Sequence, residues 1–385
     1  MFHRSWRAGA ALVIALMFLL ALGSSALAQG LTPIEQLGKD LFFDTDLSAP
    51  VGQSCATCHA PQVGWTGPDK HINKAGAVYP GAVSDRFGNR KPPTAAYGGE
   101  SPVLYYDVGE GLWIGGMFWD GRATGWTLGD PLAEQALGPF LNPLEQNMPS
   151  SAAVIDAVKA SDYADLFEDE WGDIWDDTAA AYDAVGLSIA AYERSHEVSA
   201  YTSKYDAWMA GEAELTAKER QGFNLFTGKG QCDACHVPPE FTDFTYDNLG
   251  VPRNPKNPFY CEPEWNPDGL AWIDEGLGGF LRSIKEPYLK EIGKQKVPTL
   301  RNVALRPYPG LTKAYTHNGY FSSLLAVVHF YNTRDVKHWP APEVAVNVNT
   351  SEMGDLGLTR KQEKAIVAFM KTLNDGYFVA PAAAH

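Results

Sequence analysis

With 385 residues, 45% of them apolar, the chain is long enough for two ordinary cores and too apolar to be disordered. Its formal charge of −15 disfavours nucleic acid as a partner and favours a basic one. Five cysteines would suit a disulfide framework in an exported protein, but four of the five fall in two C-x-x-C-H motifs.

In chain order, residues 1–28 read as a cleavable secretory signal: Arg4 and Arg7, then the apolar run "AGAALVIALMFLLALG", then small residues ending Ala26-Leu27-Ala28. The run is short for a membrane span, and no later stretch is apolar enough to cross. The mature chain is therefore expected to be exported without stable membrane insertion, and losing two arginines takes its charge from −15 to −17.

"LTPIEQLGKDLF" opens with Thr32 and Glu35 and predicts a helix entered through a capping box, in which each residue satisfies a free amide of the other. "GQSCATCHAPQVGW" follows, with Cys55, Cys58 and His59. The acidic stretch "DYADLFEDEWGDIWDD", eight acids and no base, reads as a solvated face before a docking patch. A second helix start, "LTAKERQGFNLF" with Thr216 and Glu219, precedes "GQCDACHVPPEF" with Cys232, Cys235 and His236. Both starts contain Gly-x-x-Leu-Phe, at Gly38 and at Gly222. The echo continues in "SIAAYERSH" from Ser188 and "AIVAFMKTL" from Ala365, with Ile189 and Ile366 each 130 residues beyond the motif histidine.

Such repetition predicts a duplicated unit. The expected fold is mainly α, with two cytochrome c-like domains at residues 29–200 and 201–385 joined by long ordered loops rich in Gly, Pro and aromatics. No alternating apolar run is long enough for a substantial sheet. C-x-x-C-H is the attachment signature of c-type haem: the thiols add to the vinyl groups and the histidine supplies the proximal imidazole. Zinc and thioredoxin-like sites use C-x-x-C without needing the histidine. Two haem c groups, one per domain, are thus expected, and Cys261 is left as a free thiol.

A haem with two strong axial ligands only moves electrons, whereas a vacant position can bind peroxide. His71, His196, His317, His329 and His338 are the histidines left to consider as sixth ligands. Met353 and Met370 are the methionines after the second motif, and Met370 sits in an apolar stripe as core.

"GMFWDGRA" at Gly116, "PLAEQALGPFLNPLE" at Pro131, "KVPTLRNVAL" at Lys296 and "LLAVVHFYN" at Leu324, together with both haem motifs, resemble the bacterial di-haem cytochrome c peroxidase and MauG family across nearly the whole mature chain. The resemblance implies a periplasmic enzyme that reduces hydrogen peroxide at the N-terminal haem, with electrons from a redox protein such as cytochrome c entering at the C-terminal haem. It places Trp119 between the haems as a relay and sets Gln135 and, ten residues on, Glu145 over the N-terminal haem, with Pro139 keeping that side open. "TGWTLGD" lengthens the interval from Trp119 to Gln135 and puts the position of Gln135 in doubt.

At the second haem the resemblance aligns Tyr331 where the peroxidases carry a methionine ligand, as in MauG-like proteins; His329, His317 and Met353 are rivals. His71 lies where some peroxidases carry a blocking histidine, although an exposed loop residue suits its surroundings better. The family's interdomain calcium ion would involve carbonyls near Thr312 to Ala314 and an asparagine, but Lys91 stands at the aligned position with Asn89 nearby. Two other functions stay open: a MauG-like oxidase that oxidises Trp or Tyr of a partner protein, and a plain dihaem electron carrier.

Overall fold

The computed structural model describes residues 30–379, so the expected signal segment, residues 1–28, lies outside the described residues. From Leu31 onward the chain is mainly helical. Its N-terminal half carries α1 (Pro33–Phe43), α2 (Cys55–Cys58), α3 (Lys70–Lys74), α4 (Pro131–Leu141), α5 (Ser151–Lys159), α6 (Ala164–Trp171) and α7 (Thr178–Arg194). Its C-terminal half carries α8 (Lys204–Met209), α9 (Ala217–Phe226), α10 (Gly276–Ser283), α11 (Leu324–Thr333) and α12 (Arg360–Met370). Strand structure is confined, among the described residues, to two short antiparallel pairs, β1 (Tyr105–Asp107) with β2 (Leu112–Ile114) and β3 (Tyr246–Asp247) with β4 (Gln295–Lys296), alongside isolated bridges.

The two capped helices begin as their sequences predict. The Glu35 carboxylate accepts the Thr32 backbone N–H at 2.7 Å, and Glu219 accepts that of Thr216 at 2.8 Å. Each then crosses a late helix of its own half, α1 on α7 and α9 on α12, at the repeated glycine. A Cβ on Gly38 would stand 1.9 Å from the Ser188 carbonyl oxygen, and one on Gly222 would stand 2.0 Å from that of Ala365. Ser188 and Ala365 are the residues at which the two repeat segments begin, so the internal echo is a packing requirement: only glycine lets these backbones approach so closely.

The buried apolar residues form two main clusters, one spanning Leu37 to Val198 and the other Tyr205 to Leu373. Polar groups join the halves. Arg90 forks onto Asp274 at 2.6 and 2.7 Å while also binding Asp120 at 2.6 Å, and Tyr97 donates to Asp375 at 2.6 Å. The Arg90 pairs are buried and hydrogen-bonded on both sides, the condition under which burying charge is tolerated.

Candidate functional site

The first motif folds as the single turn α2, whose Cys55 carbonyl accepts the His59 amide at 2.9 Å. The His59 imidazole is fixed through Nδ1 at 3.3 Å from the Trp65 carbonyl oxygen, which makes Nε2 the atom available as a ligand. Burial lowers its pKa to about 4, so the ring is neutral, the form that ligates iron. Burial also raises the pKa of the Cys55 and Cys58 thiols, and the Glu145 carboxylate pushes both further in that direction. Glu145 thus lies near the first motif.

Two local structures put it there. Helix α4 is capped by Asp130, whose carboxylate accepts from Leu132 and Ala133 at 2.9 and 3.3 Å and is itself held by Arg194 at 2.8 Å. At the other end Asn142 stops the helix, and a tight turn follows in which the Glu145 amide donates to the Asn142 carbonyl at 2.9 Å. The Glu145 carbonyl then accepts from Ala82 at 2.7 Å. Its half-buried carboxyl has a raised pKa because burial outweighs the favourable Arg122 cation and the Asn142 hydrogen bond.

Gln135 and Pro139 lie on the same helix, and Gln135 is half-buried. The lengthened "TGWTLGD" segment is tied to the start of α4: the Glu134 carboxylate accepts the amides of Gly125, Thr127 and Leu128 at 2.6, 2.7 and 3.0 Å. Arg122 closes the "GMFWDGRA" segment next to its final alanine. It stacks over Phe118 with 3.7 Å from guanidinium carbon to ring centroid and binds Asp120 at 3.0 Å.

Trp119 rides on a loop closed by pairing of Met117 with Ala123. Its indole N–H donates to the Lys91 carbonyl at 2.9 Å, and its own carbonyl accepts the Lys296 amide at 2.8 Å. The residue is therefore pinned to both halves and is buried. Its ring meets that of His317 edge-on, with centroids 6.3 Å apart.

The C-terminal half contains a cavity with about 1800 Å³ of empty space, its open mouth included, lined by Cys232, Cys235, His236, Trp119, Tyr331 and Met353. Met370, Val328 and Ile366 contribute apolar wall. His236 repeats the arrangement of His59: Nδ1 lies 2.9 Å from the Phe241 carbonyl oxygen, and burial lowers its pKa. Tyr331 reaches the same cavity from α11, and burial raises its pKa.

Among the rivals of Tyr331, His317 and Met353 also line the cavity. His329 points elsewhere on α11, with Nδ1 on the Glu363 carboxylate at 2.7 Å and Nε2 3.4 Å from Lys337. His71 is an exposed residue of α3, and Cys261 is an exposed free thiol.

A family profile described as di-haem cytochrome c peroxidase matches residues 33–214. The methylamine utilization protein MauG of Paracoccus denitrificans is 36% identical over 363 residues, covering 88% of each chain. Cytochrome-c peroxidase IdrP1 of Denitromonas iodatirespirans is 30% identical, covering 88% of this chain and 80% of its own. The diheme peroxidase BthA of Burkholderia thailandensis superposes with a TM-score of 0.77 at 30% identity, over 92% of this chain and 89% of its own. The chain belongs to the di-haem cytochrome c peroxidase and MauG family. It is an oxidoreductase of the cytochrome c peroxidase type.

Membership in the di-haem peroxidase family implies two haem c groups, and the residues present fit them. Each half offers two free thiols and a neutral histidine in sequence. The cavity adds apolar walls for a porphyrin and polar groups for its carboxylates. The buried Gln295 amide has no hydrogen-bond partner on either its oxygen or its nitrogen, and the half-buried Lys296 with the buried Lys91 and Lys313 brings three amines to the same lining. Burial lowers the Lys296 and Lys91 pKa values to about 7.

The family's calcium ion finds no such fit. The Thr312 carbonyl accepts from the buried Asn73 amide at 2.9 Å, and the Asn89 carbonyl accepts from Asn257 at 2.9 Å. Lysine stands on both stretches, at the aligned asparagine position, Lys91, and between Thr312 and Ala314, Lys313, and an amine in either place donates where a metal needs an oxygen ligand.

Proposed function

We propose that the protein is an exported, periplasmic peroxidase that reduces hydrogen peroxide with electrons from a small redox protein, such as a basic cytochrome c. Its haem c groups would be attached at Cys55 and Cys58, with His59 as proximal ligand, and at Cys232 and Cys235, with His236. These motifs belong to an N-terminal domain, residues 29–200, and a C-terminal domain, residues 201–385. Bound haem iron supplies the centre for peroxide reduction and the redox couple that accepts donor electrons.

The observation that carries this reading is Glu145, a half-buried carboxyl beside the first motif whose pKa is raised by burial. Peroxide cleavage needs a group that removes the proton from one oxygen and returns it to the departing one. Glu145 does this, and Gln135 holds the peroxide or its product water by hydrogen bonds. Trp119, pinned to both halves, carries electrons between them.

Glu145→Gln keeps the shape and removes the base. It should retain both haems, with the absorption spectrum of the wild type, and lose peroxide turnover by roughly the 10²–10⁴-fold typical of an acid–base group. Near-normal turnover in that variant would move the acid–base role to another residue.

A second reading, MauG-like oxidation of a partner protein's Trp or Tyr, is favoured by Tyr331 in the C-terminal cavity and by the similarity to MauG. Tyrosinate is a hard anionic ligand that lowers an iron potential, so it opposes electron entry from an ordinary high-potential donor.

A further inference from the structure

At the seam between the halves, two buried lysine amines meet backbone carbonyls. The Lys313 amine, 4% exposed, donates to the carbonyls of Val63 at 2.7 Å, Asn302 at 3.1 Å and Leu305 at 3.1 Å. The Lys91 amine, 8% exposed, donates to the Pro92 carbonyl at 2.6 Å and to the Thr66 hydroxyl at 2.9 Å. Val63, Thr66 and Pro92 belong to the N-terminal half, whereas Asn302, Leu305 and Lys313 belong to the other. Lys313 thereby ties the two together across 250 residues of sequence.

Three carbonyl acceptors need three N–H donors, which –NH₃⁺ has and a neutral amine lacks. Burial and the nearby Lys91 and Arg306 cations act against that charge and lower the Lys313 pKa. The three charge-assisted hydrogen bonds favour the charged form, and so do the carboxylates that haem would bring to the cavity these lysines line. A calcium ion needs six to eight oxygen ligands and would add two positive charges beside the Lys313 ammonium.

We propose that the Lys313 ammonium group and the Lys91 amine stand at the interdomain seam in place of the calcium ion the family resemblance implies, and that the enzyme is calcium-independent. Lys91 stands at the aligned asparagine position and Lys313 within Thr312 to Ala314, the two stretches from which the metal's ligands would come, and the Lys91 carbonyl holds the Trp119 indole. The assignment is independent of whether the protein works as a peroxidase or as a protein oxidase.

The test uses the purified di-haem holoprotein. Elemental analysis should find calcium far below one ion per chain, and dialysis against EGTA followed by calcium addition should leave both the melting midpoint and the haem absorption spectrum unchanged. Stoichiometric calcium whose removal lowers the midpoint would overturn the proposal. Lys313→Met, which leaves three buried carbonyls without their donor, should lower the midpoint by several degrees. Lys91→Asn combined with Lys313→Ala restores the asparagine and opens space, so calcium should raise its midpoint where it does not raise that of the wild type. A Lys313→Met holoprotein with the wild-type midpoint and spectrum would also overturn the proposal; if that variant gives no holoprotein, the wild-type calcium content and EGTA response decide alone.

Discussion

At the scale of single residues, the proposed peroxide chemistry turns on how Glu145 would be kept available as a base. Burial raises its pKa, while the Arg122 cation and the Asn142 hydrogen bond pull it back. A base must be deprotonated to act, so turnover should be full above this raised pKa and fall as pH drops through it, on an acid limb above the usual carboxylate range. Arg122→Gln removes the cation that favours the charged carboxylate, and the limb should move to higher pH; Arg122→Lys should restore most of it. The Arg122 side chain is 40% exposed, so solvent screens its effect and the displacement should shrink with added salt. A pH profile of peroxide turnover in the three proteins checks this, and superimposable profiles would disconnect Arg122 from the site.

At the scale of elements, the paired crossings of α1 with α7 and α9 with α12 set where the two motifs begin. Gly38→Ala or Gly222→Ala drives a methyl group into a carbonyl oxygen of the partner helix, and backbone cannot yield as a side-chain tip can. Each should cost about 1–3 kcal/mol or more, the range for overpacking, read as a lower denaturation midpoint. Alanine at Gly88, whose added Cβ meets nothing within 4 Å, is the control. These crossings were legible because capping boxes and repeated glycines are local signals, and the sequence echo from Ser188 and Ala365 falls on the contact points. The direction of side chains on α11 was not legible. His329 and Tyr331 are two residues apart, and only packing shows that Glu363 takes the histidine while the tyrosine reaches the cavity. The buried lysines were equally hidden, since a lysine in a sequence reads as surface until the surrounding carbonyls are known.

At the scale of the whole molecule, the proposed function needs charge to cross between the halves, and the Trp119 loop is tied to both of them. Asp120, next in sequence, is clamped by Arg90 and Arg122, and Arg90 reaches on to Asp274 in the other half. Trp119→Phe keeps the packing but loses both the indole relay and the hydrogen bond to Lys91. It should therefore slow electron transfer between the halves while leaving peroxide binding and both haems in place. Tyr331→Met acts at the receiving end, where a thioether favours reduced iron. It should raise the potential of the C-terminal haem and speed turnover with reduced cytochrome c. If Tyr331 is a ligand, peroxide added to the oxidised wild type should leave a protein that stores two oxidising equivalents for a long time, and Tyr331→Met should shorten that lifetime. Stopped-flow spectra of wild type, Trp119→Phe and Tyr331→Met distinguish the two uses of the same fold. Rapid oxidation of cytochrome c by the wild type without a persistent oxidised state favours the peroxidase. Slow donor oxidation with a long-lived oxidised protein, lost in Tyr331→Met, favours an oxidase acting on a partner protein.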